Sequence, residues 1–403
     1  MQPARRAITL PRAFALCLIA GVLAVPGVAR ASPQRPELAA KEAILVEADT
    51  GATIFSYHAN REVAIASTTK LMTAYVTLES DPLARDVLEH PYYPETADQS
   101  LAGLPSGYRY SVADMLRAML LPSGNDVAHS LGIDIGGSTP HFVDLMNAAA
   151  RKLGLDHTHY STPIGLDTAG NYSSAADLET LAYALMRDPF FAAVVRERYA
   201  YLPHGVEVDN TNDLLAYPFV SGIKTGHTLD AGYCLVGAAS WHGVHLISVV
   251  LGDPDEADRD DDTLALLRYG LALYHRVHVA VKGRAYYRAN TNGTRKSVAL
   301  VAAHAATLVV RRSSGLHVDL DDVPKDIDGP VAAGTQAGRI EASDDGRVVA
   351  TISLVTKAAV RDPPSSSPLR TIAEIAALVV AAGCTLRLMR RRATGAFRPR
   401  ARR

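Results

Sequence analysis

Three short motifs in this sequence carry side chains that can do nucleophilic chemistry without a cofactor. Ser67-Thr68-Thr69-Lys70 opens an apolar stretch, residues 71–78 (LMTAYVTL), that reads as a helix. At i and i+3 the Ser hydroxyl and the Lys amine lie on one helix face. Lys70 can serve as a base to Ser67 only if its pKa falls, which burial and a second nearby cation both promote. An N-capping Ser followed by a Lys whose stem covers apolar surface gives the same pattern, and Ser-x-x-Lys arises by chance about once or twice in a chain of this size. It recurs at Ser221 and Lys224, in a strand region where that spacing sends the two side chains to opposite faces.

Ser123-Gly124-Asn125 follows an apolar run and precedes another helical stretch. On an irregular turn its two polar groups can point the same way, although a helix cap explains it equally. Lys224-Thr225-Gly226 is rarer and lies among late strands. There Gly226 permits close approach of a ligand backbone and Lys224 offers a cation.

These motifs need a scaffold, and the sequence supplies one. Residues 43–47 and 53–57 flank the turn Asp49-Thr50-Gly51 and read as a hairpin. Helical stretches begin near Ser67, Ser111, Asp126, Thr139 and Ser174, with Ser138-Thr139-Pro140 as a cap carrying Pro in the first turn. Strands return over 217–251, and a helix is expected from about Asp262 to His275. Strands at both ends with helices between predict one α/β domain over 32–276, whose sheet joins the hairpin to the late strands. Residues 277–360 alternate short apolar runs with turn signals and predict a small all-β domain, a sandwich.

The formal net charge of −1 hides an uneven distribution. Twelve of the 41 Lys and Arg lie in residues 1–31 and 387–403, which hold none of the 42 acids. The body between them is therefore acidic and unsuited to nucleic acid, which needs a positive footprint. Residues 1–31 read as a signal peptide: a basic start, an apolar run over 13–25 and the A-x-A site Ala29-Arg30-Ala31. An uncleaved anchor is the alternative, and the apolar run is short for one. Residues 361–370 form a Pro/Ser linker, 371–389 a membrane span, and 390–403 a basic tail that the positive-inside rule places in the cytoplasm. A buried helix with a basic tail is the competing reading. Of three cysteines, Cys17 and Cys384 fall in these ends, so Cys234 is alone in the body and no disulfide framework is available there. The acidic run 253–262 reads as a solvated loop, and His157, His159, His242 and His245 read as structural; no metal or other cofactor is expected.

Helical Ser-x-x-Lys, then Ser-x-Asn, then Lys-Thr-Gly is the motif set of penicillin-interacting serine enzymes. Residues 66–73 (ASTTKLMT), 121–126 (LPSGND), 210–215 (NTNDLL), 222–228 (GIKTGHT) and 231–236 (AGYCLV) resemble the D-alanyl-D-alanine carboxypeptidases, the low-molecular-mass penicillin-binding proteins. The resemblance extends more faintly to residues 328–338 (DGPVAAGTQAG). It implies a β-lactamase/transpeptidase-like α/β fold, an antiparallel sheet with a helical region, followed by a β-rich domain. It implies Ser67 as the acylated nucleophile, Lys70 as general base and Ser123 as proton relay to the leaving D-Ala. Asn125 would hold the substrate's peptide carbonyl, Lys224 and Thr225 its terminal carboxylate beside Gly226, and the backbone N–H groups of Ser67 and His227 the oxyanion. The implied partners are the peptidoglycan stem peptide, β-lactam antibiotics and the cytoplasmic membrane.

Two segments depart from the family pattern. Ser161-Thr162 precedes the 163–166 turn (PIGL) where Asn is usual, and Asn171-Tyr172-Ser173 stands where His-x-Ser is common. A class A β-lactamase is the enzymatic rival, but no Glu-x-x-x-Asn lies between Ser123 and Lys224. A catalytically silent cell-wall scaffold is the rival from another class.

Overall fold

The computed structural model describes residues 33–361, apart from 98 and 293–295, together with residue 376. The expected signal peptide and basic tail lie outside the described residues, as do all of the expected membrane span but residue 376 and all of the expected linker but residue 361. No helix among the described residues is long and apolar enough to cross a membrane.

The chain opens with the hairpin β1 (Glu42–Glu47) and β2 (Ala52–Tyr57), then a 3-10 turn, Ala66–Thr69, running straight into α1 (Lys70–Ser80). A short pair, β3 (Asp86–Leu88) and β4 (Arg109–Ser111), precedes five helices: α2 (Val112–Leu120), α3 (Asn125–Gly136), α4 (Thr139–Leu153), α5 (Ala175–Met186) and α6 (Pro189–Val194). The small hairpin β5 (Tyr199–Leu202) and β6 (Val206–Asp209) leads to β7 (Val220–Thr228), β8 (Gly232–Trp241), β9 (Val244–Asp253) and α7 (Glu256–Ala272). The main sheet has the order β2-β1-β9-β8-β7 and is antiparallel throughout, so the N-terminal hairpin does pair with the late strands. β7 is left as an edge strand facing the turn that carries Ser67.

Helix starts follow local chemistry. Ser111, Ser138, Ser174 and Asp188 each accept the backbone N–H of the residue three further on, the usual N-cap bond. α1 is different: Leu71, Met72, Thr73, Ala74, Val76 and Thr77 are all buried, so it is surrounded on every side.

One expectation fails around the acidic run. Residues 253–262 are not a loop before a helix at Asp262. β9 runs through Asp253, Asp255 caps α7 by accepting Asp258 N–H, and the helix starts six residues earlier than expected, at Glu256. Acids suit the first turn of a helix, where they oppose the positive end of its dipole. α7 also ends at Ala272, and His275, expected at its end, lies in the next strand.

From there the chain is all β. β10 (Tyr274–Ala280), β11 (Ala285–Thr291), β12 (Ser297–Ala302), β13 (Ala306–Arg311), β14 (His317–Asp321), β15 (Asp326–Ile327), β16 (Gln336–Asp344) and β17 (Arg347–Thr356) form a six-stranded sheet and the two-stranded sheet β10-β13. Both sheets contribute to one core around Val279, Leu300, Ile340, Ile352 and Leu354.

Candidate active site

Ser67 sits in the 3-10 turn, half-buried and so within reach of a ligand, while Lys70 at the first position of α1 is fully buried. The turn is sharp: Ala66 is forced to φ +48, and Thr68 Oγ1 donates to Ile65 O at 2.6 Å. Gly165, at φ +93, packs its backbone against Ala66, where a Cβ would lie 2.1 Å from the carbonyl oxygen. That close approach brings the neighbouring Ile164 carbonyl to the lysine.

Lys70 Nζ has three partners: Ser67 Oγ at 2.9 Å, Asn125 Oδ1 at 2.6 Å and Ile164 O at 2.8 Å. Burial, then the charge of Lys224, pull its pKa well below the usual lysine value, opposed by Asp126. In the neutral amine two N–H groups serve the amide and carbonyl oxygens, and the lone pair is left to accept the Ser67 O–H. That is the geometry of an activated nucleophile.

Ser123 occupies a left-handed turn (φ +67) between α2 and α3, buried, with no hydrogen-bond partner for its hydroxyl among the described residues. Asn125 starts α3. Its backbone N–H donates to Ser100 O at 2.9 Å, and Asp126 accepts from Ala102 N and Gly103 N, so the segment before β4 is strapped onto this helix start.

Lys224, Thr225 and Gly226 lie on β7, all buried. Lys224 Nζ also lacks a partner among the described residues, and burial, then the Arg259 guanidinium, push its pKa down to about 7. Thr225 Oγ1 is 2.6 Å from Thr211 Oγ1, and Thr211 N–H donates to Leu121 O, tying the strand to the end of α2. At Gly226 a Cβ would sit 3.1 Å from Ser67 N and 3.2 Å from Thr68 N, so this glycine lets the strand lie against the nucleophile turn. His227 is exposed at the rim, its ring stacked on Tyr233 at 4.0 Å.

Ser67, Lys70 and Asn125 are thus joined directly, while Lys224, Thr225 and Gly226 face them from β7. The two atypical segments brace the site from behind. Asn171 Nδ2 donates to Thr69 Oγ1 at 3.1 Å and its Oδ1 accepts Ser161 N–H, while Thr73 Oγ1 donates to Pro163 O. Sequence reasoning missed the Ile164 carbonyl, Thr211, Arg259 and Gln99, whose Oε1 lies 3.4 Å from Asn125 Nδ2. The 163–166 turn and the Asn210-Thr211-Asn212 segment were available signals for two of them; nothing in the sequence marked Gln99 or Arg259.

The family profile described as peptidase S11, D-alanyl-D-alanine carboxypeptidase, matches residues 29–255, and that of the penicillin-binding protein 5 C-terminal domain matches 274–362. The chain belongs to the peptidase S11 family. The family member DacD of Escherichia coli, a D-alanyl-D-alanine carboxypeptidase, is 32% identical over 354 residues, covering 81% of this chain and 88% of that protein. DacF of Bacillus subtilis, of the same description, is 28% identical and covers 79% of this chain and 85% of its own length. Among solved structures, penicillin-binding protein 5 of Haemophilus influenzae superposes with a TM-score of 0.59 at 28% identity, over 82% of this chain and 99% of that one. The Streptomyces K15 DD-transpeptidase gives a TM-score of 0.56 at 32% identity, over 60% of this chain and all of its own. An S11 peptidase is a serine-type hydrolase, which agrees with a lysine-activated serine.

Proposed function

We propose that this serine-type D,D-carboxypeptidase removes the terminal D-Ala of peptidoglycan stem pentapeptides through an acyl-enzyme on Ser67. The observation that carries the reading is the buried Lys70 nitrogen shared by Ser67 and Asn125, with Lys224, which has no partner among the described residues, opposite.

The substrate's free carboxylate meets Lys224 and Thr225, giving a desolvated cation the anion it lacks. Asn125 Nδ2 donates to the peptide carbonyl preceding the scissile bond. Ser67 passes its proton to Lys70 Nζ as Oγ attacks the scissile carbonyl carbon, and the oxyanion forms against the backbone N–H groups of Ser67 and His227. Ser123 relays that proton from Lys70 to the leaving nitrogen, the C–N bond breaks, D-Ala departs and Lys70 is again neutral. Water, deprotonated by Lys70, then attacks the ester; its carbonyl carbon leaves Ser67, which recovers its proton. A β-lactam enters the same acylation, but its leaving nitrogen stays tethered.

Export by the segment 1–31 and anchoring through 371–389, with the enzyme on the outer face of the membrane, complete this reading; they rest on composition alone. The division into a catalytic domain over 32–276 and a β-rich domain over 277–360 belongs to it as well.

The test is mass spectrometry of the purified protein with a pentapeptide and, separately, with penicillin. D-Ala release and a penicillin adduct on Ser67, both lost in Ser67→Ala, are expected. An adduct without D-Ala release overturns the carboxypeptidase reading.

A further inference from the structure

We propose that Gln99, pinned by Tyr92, is a positioning residue that holds the Asn125 amide in the one orientation that leaves the Lys70 lone pair to Ser67; this rests on the site assignment above. Asn125 can present either end of its amide to Lys70. With Oδ1 toward the lysine, as in the structure, the oxygen takes one N–H of Lys70 and Nδ2 points outward. With the amide turned over, Nδ2 would donate into the lone pair of a neutral Lys70, withdrawing it from Ser67 and removing the donor meant for the substrate carbonyl. The two orientations have nearly the same shape, so packing cannot choose between them; only hydrogen-bond partners can.

The acceptor that chooses is Gln99 Oε1. It lies 3.4 Å from Asn125 Nδ2 and receives the Tyr92 hydroxyl at 2.5 Å. The long contact to Asn125 suits a donor that must also serve a substrate, and the short contact to Tyr92 keeps the oxygen aimed inward. Burial, then the negative charges of Glu95 and Asp126, push the Tyr92 phenol up, opposed by a hydrogen bond from the Asn125 amide, which the Tyr92 oxygen can accept beside Gln99; the phenol stays a donor. Tyr92 packs beside the ring of His129 of α3 at 5.4 Å, and the chain next to Gln99 is fastened by Ser100 O accepting Asn125 N–H. Both residues are only half-buried, so replacing them leaves the core intact.

The charged groups around Lys70 are Lys224 of β7 and Asp126 of α3, with Glu89, after β3, beyond Asp126. A charge placed at position 99 adds to this set, which separates positioning from mere packing. Gln99→Leu keeps the bulk but has no acceptor. Gln99→Glu accepts at both oxygens and so still forces Asn125 to point Nδ2 outward, while its negative charge favours protonated Lys70.

The experiment measures penicillin acylation rate and pentapeptide kcat and KM against pH for the full chain and its variants, with thermal unfolding alongside. Gln99→Leu should lower acylation and kcat about tenfold, the value of one lost hydrogen bond. Tyr92→Phe should act in the same direction by severalfold. Gln99→Glu should recover the Gln99→Leu loss at alkaline pH, with its acid limb displaced to higher pH. The inference is overturned if Gln99→Leu acylates like the wild type, or if Gln99→Glu is as slow as Gln99→Leu at every pH. If the wild type itself releases no D-Ala, it is the carboxypeptidase reading that fails; penicillin acylation still reports on Gln99.

Discussion

The two folded regions each close around buried apolar side chains but treat polar groups in opposite ways. The α/β region encloses Lys70, Lys224, Arg259, Asp126, Asp253 and Glu89, each less than a tenth exposed. In the β region, among the described residues from 274 on, the buried polar side chains are Thr291 and Thr356, uncharged hydroxyls on strands. Desolvating a charge is unfavourable, so a fold keeps one inside only where something else requires it. The β region has the interior of a supporting module; the α/β region gives up stability around Ser67 to hold amines whose pKa values must be low.

The sharpest way to break this contrast is Lys224→Met. Loss of the cation that meets the carboxylate should lower kcat/KM about a hundredfold or more, while the melting temperature rises. The Lys224 pKa falls from 10.5 unfolded to about 7 folded. The unfolded chain therefore binds more protons between those values, and stability rises with pH across that window. The penalty is full below about 7 and disappears above 10.5. Calorimetry at pH 6 to 7 is the check, and a lower melting temperature would contradict the contrast.

Gly226→Ala should slow acylation about tenfold with little change in melting temperature. Its Cβ would be held 3.1 Å from Ser67 N, with backbone on both sides, so the nucleophile turn must shift. Unchanged acylation kinetics would show that the strand and the turn can separate freely.

The pH profile sharpens the same point. Neutral Lys70 sets the acid limb. Charged Lys224 sets the alkaline limb of kcat/KM, near its value of about 7 in the free enzyme. A bound carboxylate raises the Lys224 pKa, so the alkaline limb of kcat should lie at higher pH. Coincident limbs would argue that Lys224 does not meet the carboxylate.

Leu354→Ala has the smallest expected effect on rate, none at all, although it should cost about 2–5 kcal/mol of stability from a fully buried position. A parallel loss of kcat/KM, measured below the melting transition, would show that the β region does more than support.

Much of the fold was legible because its signals are local. The first hairpin, the cap at Ser138 and the dense strands over 220–253 follow from turn chemistry, capping and apolar runs. The acidic run misled because seven acids suggest solvent, whereas capping and the helix dipole decide that α7 starts there; Asp253 and Asp262 then become buried, and Asp262 accepts Ala40 N–H from across the fold. Ile164 entered the site through a backbone carbonyl, which the 163–166 turn could signal but the residue's side-chain type could not. Gln99 entered by distance alone, 26 residues from its partner.

The sequence by itself determined which groups are available: a serine three residues before a lysine, a Ser-x-Asn on a turn, a Lys-Thr-Gly on a strand, and the resemblance these carry. Tertiary structure decided their chemistry. Only enclosure by α1, α3, the 163–166 turn and β7 lowers the Lys70 pKa, fills two of its hydrogen-bonding positions and leaves the third facing Ser67. Proton affinity depends on solvent exclusion, on the Asn125 and Ile164 oxygens brought in from 55 and 94 positions away, and on the charge of Lys224, and no local pattern encodes those distances.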